Sequence, residues 1–454
     1  MMEGTLAVAA QIMQGELHGE NCAFRGISTD SRTIRSGELF FALQGPNFDG
    51  NRFVSTAADK AAAGAVVNTK VDCGIAQLIV DDTKLALGRL AASWRRSMQV
   101  KVVGITGSNG KTTLKELVTS CLSQSASTLA TQGNLNNDIG VPTMLSRLCS
   151  EHRFAVIEMG ANHAGEIAYL AELTEADVVA ITNAGPAHLE GFGSVEGVAK
   201  AKGEILDNPV RPSFAVLNAD DSYFGYWLSR TSDVDVISFG IDSEAMVHAT
   251  GVESGPDGSH FTLHIRDDSV IVALPLAGRH NVRNACAAAA IAMALDLPLS
   301  LIKKGLESVR PVSGRLQPIK TAAGYIIYND SYNANPQSVI AAASFLADQG
   351  GDTILVLGDM GELGAESPAL HADVGRAARQ LGVRRLLATG PLSQNTVKEF
   401  GAGSQWFESI EELINVLQSL PAPGSRILVK GSRSARMERV VEALQASTAT
   451  AGAH

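Results

Sequence analysis

Ten residues, Gly104-Ile105-Thr106-Gly107-Ser108-Asn109-Gly110-Lys111-Thr112-Thr113, bring glycines, a lysine and hydroxyls together in the order that phosphate chemistry needs. The apolar run Val100 to Val103 precedes them and a helix-like run follows. In a strand, glycine loop and helix, successive backbone N–H groups and the positive helix end form a concave site for phosphate oxygens. Lys111 would reach the terminal phosphates of ATP or GTP, and the Thr112 hydroxyl would face Mg²⁺. Ile105 stands where the G-x-x-x-x-G-K-[ST] pattern has its first glycine, while Gly107, Gly110, Lys111 and Thr112 are in place.

Two further segments place polar groups at strand ends, where α/β sheets gather their ligands. Phe154 to Glu158 ends in Glu158-Met159-Gly160-Ala161-Asn162, and Val178 to Thr182 leads into Asn183-Ala184-Gly185-Pro186-Ala187-His188. Glu158 and His188 would converge on the phosphate end of a nucleotide, where a carboxylate and an imidazole can share a metal shell with water; His188 reads equally as a structural histidine. Lys200 and Lys202 lie on a helix-like run, where lysines ordinarily face water. Asn281 opens an alanine-rich helix with amides that could meet a flat base. Asp330-Ser331-Tyr332-Asn333-Ala334-Asn335-Pro336 carries more polar groups than a turn needs, although an N-cap explains Asn335 and Pro336. Lys430-Gly431-Ser432-Arg433 follows a strand and could offer two cations to an anion.

The elements that must position these residues alternate. The first hundred residues mix short strands with alanine-rich helices. From Val100, apolar strands separated by helices predict a parallel sheet covered on both faces. Asp233 to Leu274 predicts an antiparallel flank, and helices are expected over 281–295 and 299–308. Pro311 and Gly314 punctuate a hinge over Arg310 to Arg315, beyond which a second doubly wound alternation begins. Residues Ser447 to His454 are small and polar and are expected to fray.

A chain of 454 residues exceeds one hydrophobic core. Its net charge of -10 argues against generic nucleic-acid or anionic-membrane binding. Five cysteines without a C-x-x-C pair fit reduced thiols rather than a disulfide frame or zinc site. Neither a basic leader nor an apolar run long enough to span a bilayer is present, so a cytoplasmic protein is expected.

The motifs, in this order, resemble the ATP-dependent amide ligases of peptidoglycan precursor synthesis, the Mur ligase family, over nearly the whole chain. The shared run is Thr106 to Thr113. Gly133-Asn134-Leu135-Asn136-Asn137-Asp138-Ile139-Gly140-Val141-Pro142, His188-Leu189-Glu190-Gly191-Phe192-Gly193-Ser194 and Asn329 to Pro336 resemble the member that joins D-alanyl-D-alanine to UDP-MurNAc-tripeptide. Ser28-Thr29-Asp30-Ser31-Arg32 and Gly37 to Gly45 resemble the family's UDP-sugar-binding domain.

The resemblance implies three α/β domains: a UDP-substrate-binding domain over 1–98, a central P-loop ATPase domain with a mostly parallel sheet over 99–311, and a Rossmann-like domain over 312–454. It implies that Gly107, Ser108, Asn109, Gly110, Lys111, Thr112 and Thr113 hold ATP, that Asn281 meets adenine, Asp330 the ribose and Arg315 the phosphates. Thr112, Glu158, His188 and a carbamylated Lys202 would hold two Mg²⁺ ions, with Lys200 the competing lysine. Catalysis would involve Lys111, His188, Lys202 and Arg315. Substrate contacts would come from Ser28, Ser31, Asn134, Asn137, Asn333, Asn335, Lys430 and Ser432. The tripeptide carboxylate would take the γ-phosphate of ATP, and the dipeptide amine would then displace phosphate. The resemblance further implies a monomer without nucleic-acid partners. A sister ligase, a folylpolyglutamate-type ligase and a nucleotide-dependent binding switch are the alternatives.

Overall fold

Alternate residues of each central strand are apolar on both faces, and the chain buries both. In the computed structural model, which describes residues 1–45 and 48–451 with side chains as far as Ala446, Lys101–Thr106 is the third strand of a nine-stranded sheet. On one side lie Phe154–Glu158 and then Thr128–Ala130. On the other lie Val178–Ile181, Phe214–Asn218 and Asp235–Gly240, all parallel. Val103, Ile105, Val156 and Ala180 pack under helices Lys111–Leu122 and Arg279–Ala294. Val102, Ala155, Ile157 and Val179 pack against Ile167, Leu170 and Trp227 on the opposite face. Double burial is what a parallel sheet flanked by crossover helices requires.

Chain order opens a crevice at Lys101–Thr106. After Lys101–Thr106 the chain moves to the Thr128–Ala130 edge, returns through Phe154–Glu158, and crosses to Val178–Ile181 on the far side. Such a reversal leaves a gap at the carboxyl ends of the strands. The antiparallel flank is shorter than expected. Asp235–Gly240 belongs to the parallel array, and only Val247–Gly255, Gly258–Ile265 and Asp268–Leu274 form antiparallel pairs. Side-chain alternation reports which face a residue occupies and is silent on strand direction.

The N-terminal sheet runs Glu16–His18, Gln77–Ile79, Gly64–Val67, Leu39–Phe41, Ile27–Ser28, parallel apart from its first strand. Helix Thr83–Ser97 leads out of it, started by Asp82 accepting from the Lys84 and Leu85 N–H groups. The C-terminal sheet runs Gln317–Lys320, Ile326–Asp330, Arg426–Lys430, Thr353–Leu357, Arg385–Thr389, Ser404–Phe407. Its first strand, antiparallel to Ile326–Asp330, was not expected. Residues Arg310 to Arg315 link helix Leu299–Ser308 to this sheet without regular structure. Of the tail expected to fray, Ser447 to His454, residues 447–451 continue helix Glu438–Ala451, and 452–454 lie outside the described residues. No described helix is long and apolar enough to cross a membrane.

Close packing leaves one position easy to test. A Cβ at Gly305 would lie 2.4 Å from the Cys121 Cα, where two helices touch backbone to backbone. Gly305→Ala is expected to destabilise the central domain by about 1–3 kcal/mol through overpacking, read as a lower denaturation midpoint.

Candidate active site

A cleft of about 1290 Å³ opens at the carboxyl ends of the central strands and is walled by all three domains. The phosphate loop forms its floor. Gly107 takes φ 142° and Gly110 φ 83°, and the loop passes directly into helix Lys111–Leu122. A Cβ on Gly107 would fall 1.9 Å from Thr182 Oγ1, so the glycine is needed for close approach as well as for its backbone angle. Ile105, the departure from the common pattern, lies inside the strand and is fully buried. The turn therefore begins at Gly107.

Lys111 Nζ donates to the Gly107 carbonyl at 2.6 Å and curls over its own loop. Desolvation pushes this amine below its ordinary range and nearby Arg315 adds to the effect, while Glu158 opposes it. Thr112 Oγ1 donates to Glu158 Oε2 at 3.0 Å, and Asn136 Nδ2 donates to Glu158 Oε1 at 2.8 Å. Glu158 is only 3% exposed. A buried carboxylate with a hydroxyl and an amide beside it fits a hard cation, because Mg²⁺ takes oxygen ligands and lets substrate phosphates complete the shell. Among the described residues no three His, Cys, Asp or Glu side chains converge as a ready-made metal cage. His188 instead pairs through Nδ1 with Glu362 of the C-terminal domain. This contact holds the Glu362 carboxyl below its usual range.

The two lysines separate cleanly. Lys200 is well exposed and ion-paired with Glu196 one turn earlier. Lys202 is 1% exposed, with Nζ 5.1 Å from the Phe192 ring centroid and no hydrogen bond or ion pair among the described residues. Burial, reinforced by repulsion from Lys111, pulls its amine down to about 7. A large share of Lys202 is therefore a neutral amine near pH 7.

The C-terminal domain reaches the phosphate loop directly. Asn335 starts helix Pro336–Asp348 by accepting from the Ser338 N–H, and its Nδ2 donates to Asn109 Oδ1 at 2.8 Å. Asn109 Nδ2 donates in turn to Gln337 Oε1 at 3.0 Å. The Arg315 guanidinium lies 4.1 Å from the Tyr332 ring centroid, and Arg433 faces the same ring at 5.8 Å. From the N-terminal domain, Lys84 Nζ meets Asp138 Oδ2 at 2.7 Å.

Residues 105–292 match the Mur ligase middle domain, 314–433 the family's glutamate ligase domain and 23–95 its catalytic domain. The chain is 45% identical over 448 residues to a UDP-N-acetylmuramoyl-tripeptide–D-alanyl-D-alanine ligase of Escherichia coli, covering 98% of this chain and 99% of that protein. The chain belongs to the Mur ligase family. A ligase of the same name from Bacillus subtilis is 31% identical, with 98% and 99% covered. Among solved structures, a MurF crystal structure from Acinetobacter baumannii superposes with a TM-score of 0.93 at 39% identity, covering 98% of this chain and 99% of that one. MurF from Thermotoga maritima in complex with ADP gives 0.84 at 25% identity, with 94% and 98% covered.

In this Mur ligase the cleft is lined by Ser108, Asn109, Gly110, Lys111, Thr112 and Thr113 of the expected nucleotide loop. Asn134, Asn137, Glu158, His188, Arg315, Asn333, Asn335 and Ser432 also reach it. Asn137 has local work as well, accepting from the Gly140 N–H at 2.8 Å. Other expected residues lie apart from the cleft lining. Asn281 Nδ2 donates to the Ala277 carbonyl at 2.7 Å. Asp330 and Lys430 satisfy each other, with Lys430 Nζ 2.6 Å from Asp330 Oδ2 and 2.9 Å from the Asn333 carbonyl. Of the two cations expected at Lys430 and Arg433, Lys430 is thus taken up inside the domain, because a lysine this buried must be paired, and exposed Arg433 lies 3.6 Å from Glu438 Oε1. Ser28 Oγ donates to the Asp30 carbonyl at 3.1 Å within its own turn, and Ser31 is buried in the N-terminal domain. Asn136, Gln337 and Glu362 were missed. Glu362 follows strand Thr353–Leu357 as Glu158 ends its own, so the same strand-end reasoning could have found it.

Two outcomes test this geometry. Asn136→Ala frees one Glu158 oxygen and is expected to weaken Mg²⁺-dependent nucleotide binding about 10-fold, read by titrating Mg²⁺ at fixed nucleotide; an unchanged requirement would separate Asn136 from Glu158. Burial pushes His280 down to about 4. Its folded value lies below the unfolded one near 6.5, so the stability it contributes is complete above pH 6.5 and is lost as pH falls toward 4. His280→Gln should flatten the acid limb of stability against pH, read from denaturation midpoints.

Proposed function

We propose that this chain joins D-alanyl-D-alanine to UDP-MurNAc-tripeptide, converting ATP to ADP and phosphate in peptidoglycan precursor synthesis. The observation that carries the reading is the phosphate loop with Lys111, Thr112 and Glu158 in a three-domain cleft, in a chain alike over its whole length to ligases of that name. A free carboxylate is a poor acylating agent, so its phosphorylation supplies a leaving group. Both reactants of that step are anions, and Lys111 with Arg315 would offset the repulsion and stabilise the transferring phosphoryl group. The dipeptide amine then attacks the acyl phosphate, expels phosphate and forms the amide.

Thr112, Glu158, His188 and a carbamylated Lys202 would hold Mg²⁺, which when bound supplies positive charge to the phosphoryl oxygens. For His188 that role requires exchanging its contact with Glu362. Addition of CO₂ needs the neutral amine, and the burial of Lys202 provides it near pH 7. On the C-terminal side Asn333, Asn335 and Ser432 would face the dipeptide, while Asn134 and Asn137 would meet the tripeptide. Ser28 and Ser31 would serve the UDP end. Asn281 toward adenine and Asp330 toward ribose complete the proposal, the latter beside its contacts with Lys430 and the Leu316 N–H. Closure of the C-terminal domain over the cleft would keep water from the acyl phosphate. We place the enzyme in the cytoplasm as a monomer.

The test is Mg²⁺-dependent phosphate release from ATP with UDP-MurNAc-tripeptide and either D-alanyl-D-alanine or single amino acids. Turnover is expected with the dipeptide alone; turnover with a single amino acid would reassign the chain to a sister ligase. Carbon-13 CO₂ should also give a carbamate resonance that Lys202→Arg abolishes and Lys200→Arg leaves intact; a signal surviving Lys202→Arg would remove that assignment.

A further inference from the structure

Every polar group of Asn109 is occupied, and the pattern ties the phosphate loop to two elements at once. Its N–H donates to Asn183 Oδ1 at 3.0 Å, and its carbonyl accepts from Thr182 Oγ1 at 2.6 Å and Asn183 Nδ2 at 3.1 Å. Those contacts stay within the central domain. The side-chain amide is spent on the C-terminal domain, accepting from Asn335 and donating to Gln337. Gln337 is otherwise an exposed residue in the first turn of helix Pro336–Asp348, with no core to support.

Gly185 gives an independent view of the same contact. It is buried beside the loop, its N–H donating to Ser108 Oγ at 3.0 Å and its carbonyl accepting from that hydroxyl at 3.2 Å. Its φ is outside the left-handed region, so its backbone would admit an alanine. What excludes a side chain is the neighbour: a Cβ would fall 2.0 Å from Gln337 Oε1. Because that oxygen ends a flexible side chain, an added methyl would swing Gln337 aside, away from Asn109, and leave the fold intact.

We propose that Gln337 is a positioning residue that docks the C-terminal domain on the phosphate loop through Asn109, and that position 185 is glycine to admit it. The consequence for turnover rests on the ATP-dependent ligase reading. Docking at Gln337 fixes the domain that carries Tyr332 and Arg433 and seats Arg315 over the phosphates. Loss of the contact lowers the share of molecules in the closed arrangement without altering the loop that grips nucleotide.

The experiment compares Gln337→Met, Gly185→Ala and the double variant with the unaltered chain in kcat, KM for ATP, melting temperature and small-angle scattering. Gln337→Met keeps the volume and removes the acceptor. Each single change is expected to lower kcat about 3- to 10-fold, the scale of one lost neutral hydrogen bond, with KM for ATP and melting nearly unchanged and a larger radius of gyration. The double variant should lose no more than the worse single one, since both changes break one contact. Multiplying losses, an unchanged kcat, or an effect on KM alone would overturn the docking role. Should Gly185→Ala disturb the loop, kcat and scattering of Gln337→Met decide by themselves. An unaltered chain that fails to turn over the dipeptide would defeat the ligase reading instead, and scattering would still report on docking.

Discussion

Burial holds two amines close to one another, Lys111 and Lys202, and keeps both below their ordinary range. Glu158, shared between Thr112 and Asn136, opposes that effect at Lys111, and Glu204 and Glu166 oppose it at Lys202. Like charge adds to the desolvation, from Lys111 at Lys202 and from Arg315 at Lys111. A bound anion would favour the protonated form of both amines. The architecture serves this constraint. A doubly covered sheet supplies the rigid floor, its chain reversal opens the crevice, and the outer domains close the sides.

Charge of this kind catalyses only when water is kept away and the groups do not have to reorganise. The contacts between domains answer to that need. Asn335 and Gln337 meet Asn109, His188 meets Glu362, and Lys84 meets Asp138. Each joins a residue of the central floor to one wall, and all are polar, so they can be made and broken at modest cost as substrates enter. Apolar contact dominates inside each domain, where nothing has to move.

The sequence disclosed the floor better than the walls. The phosphate loop and the carboxylate after Phe154–Glu158 are local features, because a strand end and the turn after it are continuous in the chain and carry their own residue types. The choice between Lys200 and Lys202 was not local. Two residues apart on one helix, they face opposite ways, and only packing against Phe192 shows which is buried. Lys430 misled for a related reason: a strand-end lysine looks available until the parallel neighbour Ile326–Asp330 brings Asp330 beside it. Gln337 and Glu362 were silent because their meaning lies in residues more than a hundred positions away. Strand direction in Asp235–Gly240 was hidden because alternation looks the same either way.

The central claim is that the cleft activates a carboxylate by moving phosphate onto it. Oxygen-18 in the terminal carboxylate of UDP-MurNAc-tripeptide tests this most directly, by mass spectrometry of the released phosphate after one round with ATP and D-alanyl-D-alanine. The expected result is one labelled oxygen per phosphate, carried across when the acyl phosphate is broken by the amine. Unlabelled phosphate alongside labelled amide product would contradict the account.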